Sequence, residues 1–259
     1  MLSQRIIKYI QSLSHKKLRD EHGQFIAETP KVIAEFLTAE NFNCKILCAD
    51  KTWLSENENL LKNILPGNIY EIDEATLKKI SFLKTPNKVL GVFDKKFPVS
   101  EPVIPGKLSL MLDEIQDPGN LGSIIRNADW FGIENIICSE NCADCYNPKV
   151  VQAAMGSLAR VNVIYTSLHS FIESHNVSVY AAALSGTSIS ELKKPEAGII
   201  LIGNESRGIS EALLNMATLH ITIPRYGNAE SLNAAVATGI ILSHIKAPGP
   251  KPRRGTKNL

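Results

Sequence analysis

The sequence predicts an α/β protein in two parts, a smaller α/β unit followed by a larger one built on a mostly parallel sheet. Three observations carry this expectation. Short β-like runs alternate with helical patterns along the chain. A stretch with three prolines in ten residues, 97–106, divides it and reads as a stiff linker. In the second part, three strands are each followed by a glycine-bearing polar turn and a helix, at 112–132, 201–209 and 223–242. With 259 residues and 44% apolar content, the chain has room for one large or two modest domains.

In the first part, residues 3–13 have helical spacing, and His15 to Gly23 form a charged turn leading into an extended 24–27. Thr29-Pro30 opens a helix over 31–38. β-like runs at 45–48, 68–72 and 88–93 then alternate with helical patterns at 53–61 and 74–82, a compact unit of about ninety residues.

In the second part, 108–112 is an apolar strand and Asp117-Pro118-Gly119-Asn120 a turn. The helix after it puts Leu121, Ile124, Ile125, Ala128 and Phe131 on one face, which leaves Ser123, Arg126 and Trp130 on the other. Further strands are expected at 135–138, 162–165, 178–184, 198–203 and 220–223. Pro224 stops the last of these, Gly227-Asn228 turns the chain, and a helix opens at Glu230-Ser231-Leu232-Asn233 with Ser231 as its N-cap. The residues that follow are apolar on almost every face, which predicts a helix packed on several sides. Its N-terminus aims free N–H groups at whatever lies in front. A fold of the Rossmann type is the natural competitor, but no glycine-rich fingerprint follows the first strand and no acidic residue is placed for a ribose after the second.

Composition narrows the class. No run of eighteen apolar residues occurs, and the first seventeen residues lack the apolar core of a signal peptide, so the chain is expected to be soluble, with no membrane association. Five cysteines without a secretory signal predict reduced thiols in the cytoplasm. Residues 1–96 carry 15 Lys and Arg against 12 Asp and Glu, 107–246 carry 9 against 13, and 247–259 carry 4 against none. Basic ends around an acidic centre suit a modular binder of polyanions.

The three strand-turn-helix stretches, L-D-E-I-Q-D-P-G-N-L-G-S-I-I-R-N-A-D-W-F-G, L-I-G-N-E-S-R-G-I and I-P-R-Y-G-N-A-E-S-L-N-A-A-V-A-T-G-I-I-L, resemble in this order the three signature motifs of the SpoU (TrmH-type) branch of the SPOUT RNA methyltransferases. The resemblance spans about 108–246. It implies a methyltransferase domain at 107–246 with an α/β trefoil knot, one of the few exceptions to unknotted topology. It further implies a ribosomal-protein-like RNA-binding domain at 1–96, the linker at 97–106 and a basic tail at 247–259. Relatives carry a Glu-Gly pair at the end of the extended segment in the first domain; here the pair is Glu28-Thr29.

The implied activity is transfer of a methyl group from S-adenosylmethionine to a ribose 2′-hydroxyl of structured RNA, ribosomal before transfer RNA, with no metal. The implied assembly is a cytoplasmic homodimer whose active site borders the second subunit. An asparagine followed six residues later by an arginine is the family's catalytic signature, and Asn120 and Arg126 have that spacing. The family usually places threonine next, where this chain has Asn127. A guanidinium holds its proton too firmly to serve as a base, so a grip on the adjacent phosphate with stabilisation of the developing alkoxide is the safer role for Arg126. Asn120, Glu205, Ser231 and Asn233 are implied to orient Arg126, the ribose and the donor. Backbone at Leu184, Gly203, Ile223 and Leu232 is implied to cradle the adenosine.

Two other readings compete. An RNA-binding protein could keep the fold without catalysis, although intact Asn120, Arg126, Glu205, Ser231 and Asn233 argue against that. Cys138, Cys142 and Cys145 have C-x3-C-x2-C spacing, the iron–sulfur pattern of radical S-adenosylmethionine enzymes. Against it, Asp144 precedes the last cysteine where those enzymes carry an aromatic residue. A zinc site on the same thiols lacks an evident fourth ligand.

Overall fold

The computed structural model describes residues 2–96 and 106–246. Of the expected linker only Gly106 lies among them, and the basic tail at 247–259 lies outside the described residues.

The first sheet and its helices run α1 (Gln4–Ser12), α2 (Lys16–His22), β1 (Gln24–Glu28), α3 (Pro30–Thr38), β2 (Cys44–Ala49), α4 (Lys51–Glu56), α5 (Glu58–Leu61), β3 (Ile69–Glu71), α6 (Glu74–Ile80) and β4 (Val89–Asp94). The strand order is β1-β4-β2-β3, with β2 and β3 parallel and the other pairs antiparallel. Three local expectations are corrected. The charged turn at 15–23 is the helix α2, closed by Gly23 at φ +62° and anchored by a buried Arg19. The helix expected over 53–61 breaks at Asn57, whose Nδ2 donates to the Trp53 carbonyl at 2.8 Å and caps α4. Finally, α6 stops at Ile80 because Ser81 and Phe82 turn back to donate to the buried Glu28 carboxylate, the Phe82 N–H at 2.9 Å. Burial pushes the Glu28 pKa up, and those two hydrogen bonds pull against it. Thr29 keeps a glycine-like backbone, φ +80° and ψ 144°, a conformation costly for a β-branched residue.

The second sheet is wholly parallel. Its elements are β5 (Leu108–Leu112), α7 (Pro118–Trp130), β6 (Asn135–Cys138), α8 (Pro148–Ala154), β7 (Asn162–Tyr165), α9 (Leu168–Ser174), β8 (Val179–Ser188), β9 (Gly198–Ile202), α10 (Glu211–Met216), β10 (Leu219–Thr222) and α11 (Ala234–Lys246). The order is β10-β8-β9-β5-β6-β7. β5 and β9 lie at the centre and are buried along their whole length, which explains their unbroken apolar runs. The Asp117–Asn120 turn is corrected: Asp117 is the N-cap of α7, accepting the Asn120 N–H at 2.8 Å, and Pro118 opens the helix. β8 runs four residues past its expected end and pairs with β10 through a register shift at His220/Ile221.

The two units meet along a buried seam. Arg19, 1% exposed, donates to the carbonyls of Leu13 and Ser14 and forms a 2.6 Å ion pair with Asp144 of the second unit. The Tyr146 ring packs on Phe25 at 4.7 Å between centroids, and its hydroxyl accepts the Lys96 N–H at 3.0 Å. Arg160 pairs with Glu35 across the same seam, and Lys96 donates to Asn162 at 2.8 Å. One apolar cluster therefore runs through both units, from Phe25 and Phe36 to Leu121 and Ile241.

Candidate active site

A parallel sheet offers its ligand crevice outside the carboxyl ends of the strands, where the strand order reverses. The chain leaves β5 toward β6 and β7 on one side and returns to β8, β9 and β10 on the other, so that reversal falls at β5 and β9. The polar turns singled out from the sequence cluster there.

Three of the predicted residues form one hydrogen-bonded relay. Asn120, in the first turn of α7, donates its Nδ2 to Glu205, in the loop after β9. Asn233 donates its Nδ2 to Asn120 Oδ1 at 2.8 Å. Asn233 Oδ1 in turn accepts the Ala235 and Val236 N–H groups at 3.0 and 3.2 Å. A carboxylate only accepts, so Glu205 fixes which end of the Asn120 amide faces it, and that fixes Asn233. The relay is thus directional, from the amides of α11 to the carboxylate, and it joins all three motif stretches. It also corrects the cap: α11 starts at Ala234, and Asn233, not Ser231, caps it. Asparagine and serine are equally good caps, so composition could not separate them.

The loop that carries Glu205 is closed on itself. Asn204 and Gly208 exchange backbone hydrogen bonds at 3.0 and 2.9 Å, and Asn204 Oδ1 accepts the N–H groups of Ser206 and Arg207. A Cβ on Gly203 would collide with the backbone of Gly208 and Ile209, so this glycine first serves its own loop. Two residues not singled out from the sequence hold the loop from outside. Asp113 accepts the Ser210 N–H at 2.9 Å, and Glu114 accepts Asn204 Nδ2 on its carbonyl at 2.8 Å and Arg207 Nη1 on its carboxylate at 3.2 Å. The available signal was an acidic pair directly after a buried strand.

The other predicted residues stand apart from the relay. Arg126 is exposed on α7, about 9 Å along the helix axis from Asn120 at 1.5 Å per residue. Ser231 is exposed in the segment between β10 and α11. Neither side chain makes a hydrogen bond or ion pair with a described residue. Of the four expected cofactor positions, Gly203 and Ile223 directly follow β9 and β10, Leu184 lies within β8, and Thr222 Oγ1 donates to the Leu184 carbonyl at 3.3 Å. Leu184 is 81% and Leu232 45% exposed.

Asn127, where the family usually has threonine, turns toward α11 and donates to the Ala235 carbonyl at 2.8 Å. Its role here is to tie the two helices. Between them opens a groove of about 810 Å³ lined by Asn120, Ser123, Asn127, Asn233, Val236 and Ile240, among others. None of the four cofactor positions borders it. Trp130, as expected, is exposed, at 83%.

The cysteine pattern does not assemble. Among the described residues no three His, Cys, Asp or Glu side chains are placed to hold a metal ion. Cys138 and Cys145 are buried thiols with raised pKa values, whereas a hydrogen bond from Cys138 lowers that of Cys142 to about 7. Cys142 packs under the β5 turn, accepting the Ile115 N–H at 3.3 Å. No helix among the described residues is long and apolar enough to cross a membrane.

Comparison with known proteins gives the chain its relatives. The profile of an MRM3-like substrate binding domain matches residues 4–91. The 23S rRNA (guanosine(2553)-2′-O)-methyltransferase RlmP of Bacillus subtilis (strain 168) is 30% identical over 245 residues, 93% of this chain and 95% of the relative. An AdoMet-bound rRNA methyltransferase from Sinorhizobium meliloti superposes with a TM-score of 0.85 at 30% identity, covering 95% of each chain. A putative RNA methyltransferase of the TrmH family from Porphyromonas gingivalis gives 0.82 at 36% identity, covering 95% of this chain and 98% of its own. The profile of the SpoU rRNA Methylase family matches residues 107–243, the stretch that holds the relay and all three turns, and the chain belongs to that family.

Proposed function

We propose that the chain transfers a methyl group from S-adenosylmethionine to a ribose 2′-hydroxyl of RNA, ribosomal before transfer RNA. The observation that carries this reading is the Glu205–Asn120–Asn233 relay, which ties three segments together at the switch point of a parallel sheet. Likeness over nearly the whole chain to RlmP, named as a 23S rRNA 2′-O-methyltransferase, and to a relative bound to AdoMet supports the substrate and the donor. Bound at the crevice, S-adenosylmethionine would supply a sulfonium-activated methyl group that needs no metal for transfer.

The chain's own residues then have separate tasks. Backbone at Leu184, Gly203, Ile223 and Leu232 holds the nucleoside, with Leu184 and Leu232 against its base. Arg126, left unpaired in the free protein, grips the phosphate beside the target ribose and stabilises the alkoxide as the proton leaves. Asn120, Glu205 and Asn233 hold the three loops in register, and Ser231, exposed nearby, orients the ribose. Residues 1–96 form the RNA-holding domain and 107–246 the methyltransferase domain. The protein works in the cytoplasm as a homodimer: exposed Val236 and Ile240 line an open groove between α7 and α11, and Trp130 is exposed on α7, apolar surface that a second copy would cover.

Incubation with methyl-labelled S-adenosylmethionine and separate ribosomal and transfer RNA fractions tests the activity. Label in 2′-O-methyl nucleotides of ribosomal RNA is expected. Label in neither fraction, using ribosomal RNA from cells lacking the protein, would overturn it. Light scattering should give twice the 28.4 kDa chain mass, and a monomer would remove the dimer.

A further inference from the structure

We propose that Glu114 is a positioning residue for methyl transfer, clamping the 203–209 loop through Arg207 and Asn204 so that Glu205 meets Asn120. The inference rests on the reading above and names a residue outside it. Glu114 stands two residues past the end of β5 with φ +54°, the left-handed region that glycine adopts most readily. There its four polar groups reach two segments. Its N–H donates to Ser139 Oγ at 2.9 Å, and its Oε1 accepts Asn141 Nδ2 at 3.0 Å, both in the segment after β6. Its carbonyl accepts Asn204 Nδ2 at 2.8 Å, and its Oε2 accepts Arg207 Nη1 at 3.2 Å, both in the loop after β9.

Glu205 lies between Asn204 and Arg207, the two loop residues that Glu114 holds. The neighbouring Asp113 takes the Ser210 N–H, so one turn after β5 grips the loop at both ends. Global stability is a poor explanation for the carboxylate, because Arg207 is 76% exposed and exposed ion pairs contribute little to folding. Local placement is the better one. A shift of about 1 Å in a group at a reacting centre can cost on the order of a hundredfold in rate. The relay gives such a shift a direct path, from Glu205 to Asn120 and on to the helix that carries Arg126.

Glu114→Gly tests this cleanly, since it removes the carboxylate while suiting the left-handed backbone. Arg207→Ala removes the other half. Each should lower kcat by about tenfold or more, leaving the KM for RNA and the thermal midpoint near wild type. The double variant should be no worse than either single one, as residues acting through one contact are not additive. Amide hydrogen exchange over 204–210 should speed up in both. If the wild-type protein methylates RNA and Glu114→Gly keeps kcat within about twofold, the clamp is overturned. A wild-type protein that methylates no RNA would instead refute the proposed activity. Hydrogen exchange alone would then decide the clamp: unchanged protection over 204–210 overturns it, and faster exchange supports it.

Discussion

The residues expected at the site fall into two groups that differ in how they are held. Asn120 is hydrogen-bonded to both Glu205 and Asn233 before any ligand arrives. Arg126 and Ser231 are exposed and unengaged, and the segment from β10 to α11 exposes Tyr226 at 97% and Leu232 at 45%. A group whose hydrogen bonds are already satisfied inside the protein is suited to holding geometry. A charged group left without a partner is suited to meeting something from outside.

The sharpest way to break this division is Arg126→Ala. Losing a charge-stabilising donor in comparable oxyanion sites costs about 2.7–4 kcal/mol, or on the order of a hundredfold or more in turnover. S-adenosylmethionine affinity and thermal midpoint should stay put, because Arg126 touches neither the relay nor the cofactor positions. Calorimetric titration beside single-turnover kinetics reads both. A near wild-type rate would strip Arg126 of its role and favour a binding protein over an enzyme.

Leu232→Arg probes the open segment from the cofactor side. A guanidinium in place of an apolar lining should weaken S-adenosylmethionine binding by more than about 1.4 kcal/mol, a tenfold change in Kd, while RNA affinity survives. Unchanged cofactor affinity would move the nucleoside pocket elsewhere.

Asn233→Ala should combine both kinds of effect. It removes the α11 cap, worth about 1 kcal/mol in a denaturant melt, and frees the Asn120 amide, so turnover should fall as well. A variant that loses activity with no loss of stability would place Asn233 among the unengaged residues.

The smallest effect is expected far from both groups. Lys16→Glu and Lys17→Glu alter exposed lysines of α2. If that helix meets RNA, each lost phosphate contact should flatten the slope of log K against log salt by about 0.7–0.9, with kcat at saturating RNA unchanged. An identical slope would take α2 off the RNA surface. Substitution is a better probe here than deleting residues 1–96, because deletion would uncover Asp144 and Tyr146.

Much of this arrangement was legible in the sequence. The alternation of short strands and helices predicts a mostly parallel sheet, and the second sheet is wholly parallel, since parallel crossovers need helices and strands buried on both faces are apolar throughout. Asn120, Glu205 and Asn233 could be named because three ordered motifs carried them. What could not be read was contact across the chain. Nothing in residues 15–23 says that Arg19 will be buried against Asp144, and without that anchor the segment looks like a charged turn. Glu114 shows in the sequence only as half of an acidic pair after a buried strand, and its partners lie 25 to 93 residues away. Ser231 looked like a cap because spacing does not distinguish it from Asn233, whose amide also had to reach α7.

The seam between the two units has a consequence for target choice. A guanidinium with 1% exposure, paired to an acid of the opposite unit, does not let the halves swing apart without leaving a buried charge alone, a loss of about 3–5 kcal/mol in comparable cases. An RNA gripped by both halves must therefore present its docking element and its reactive ribose at one built-in separation and angle. The protein would then behave as a calliper, and a nucleotide of the right identity at the wrong reach would go unmodified.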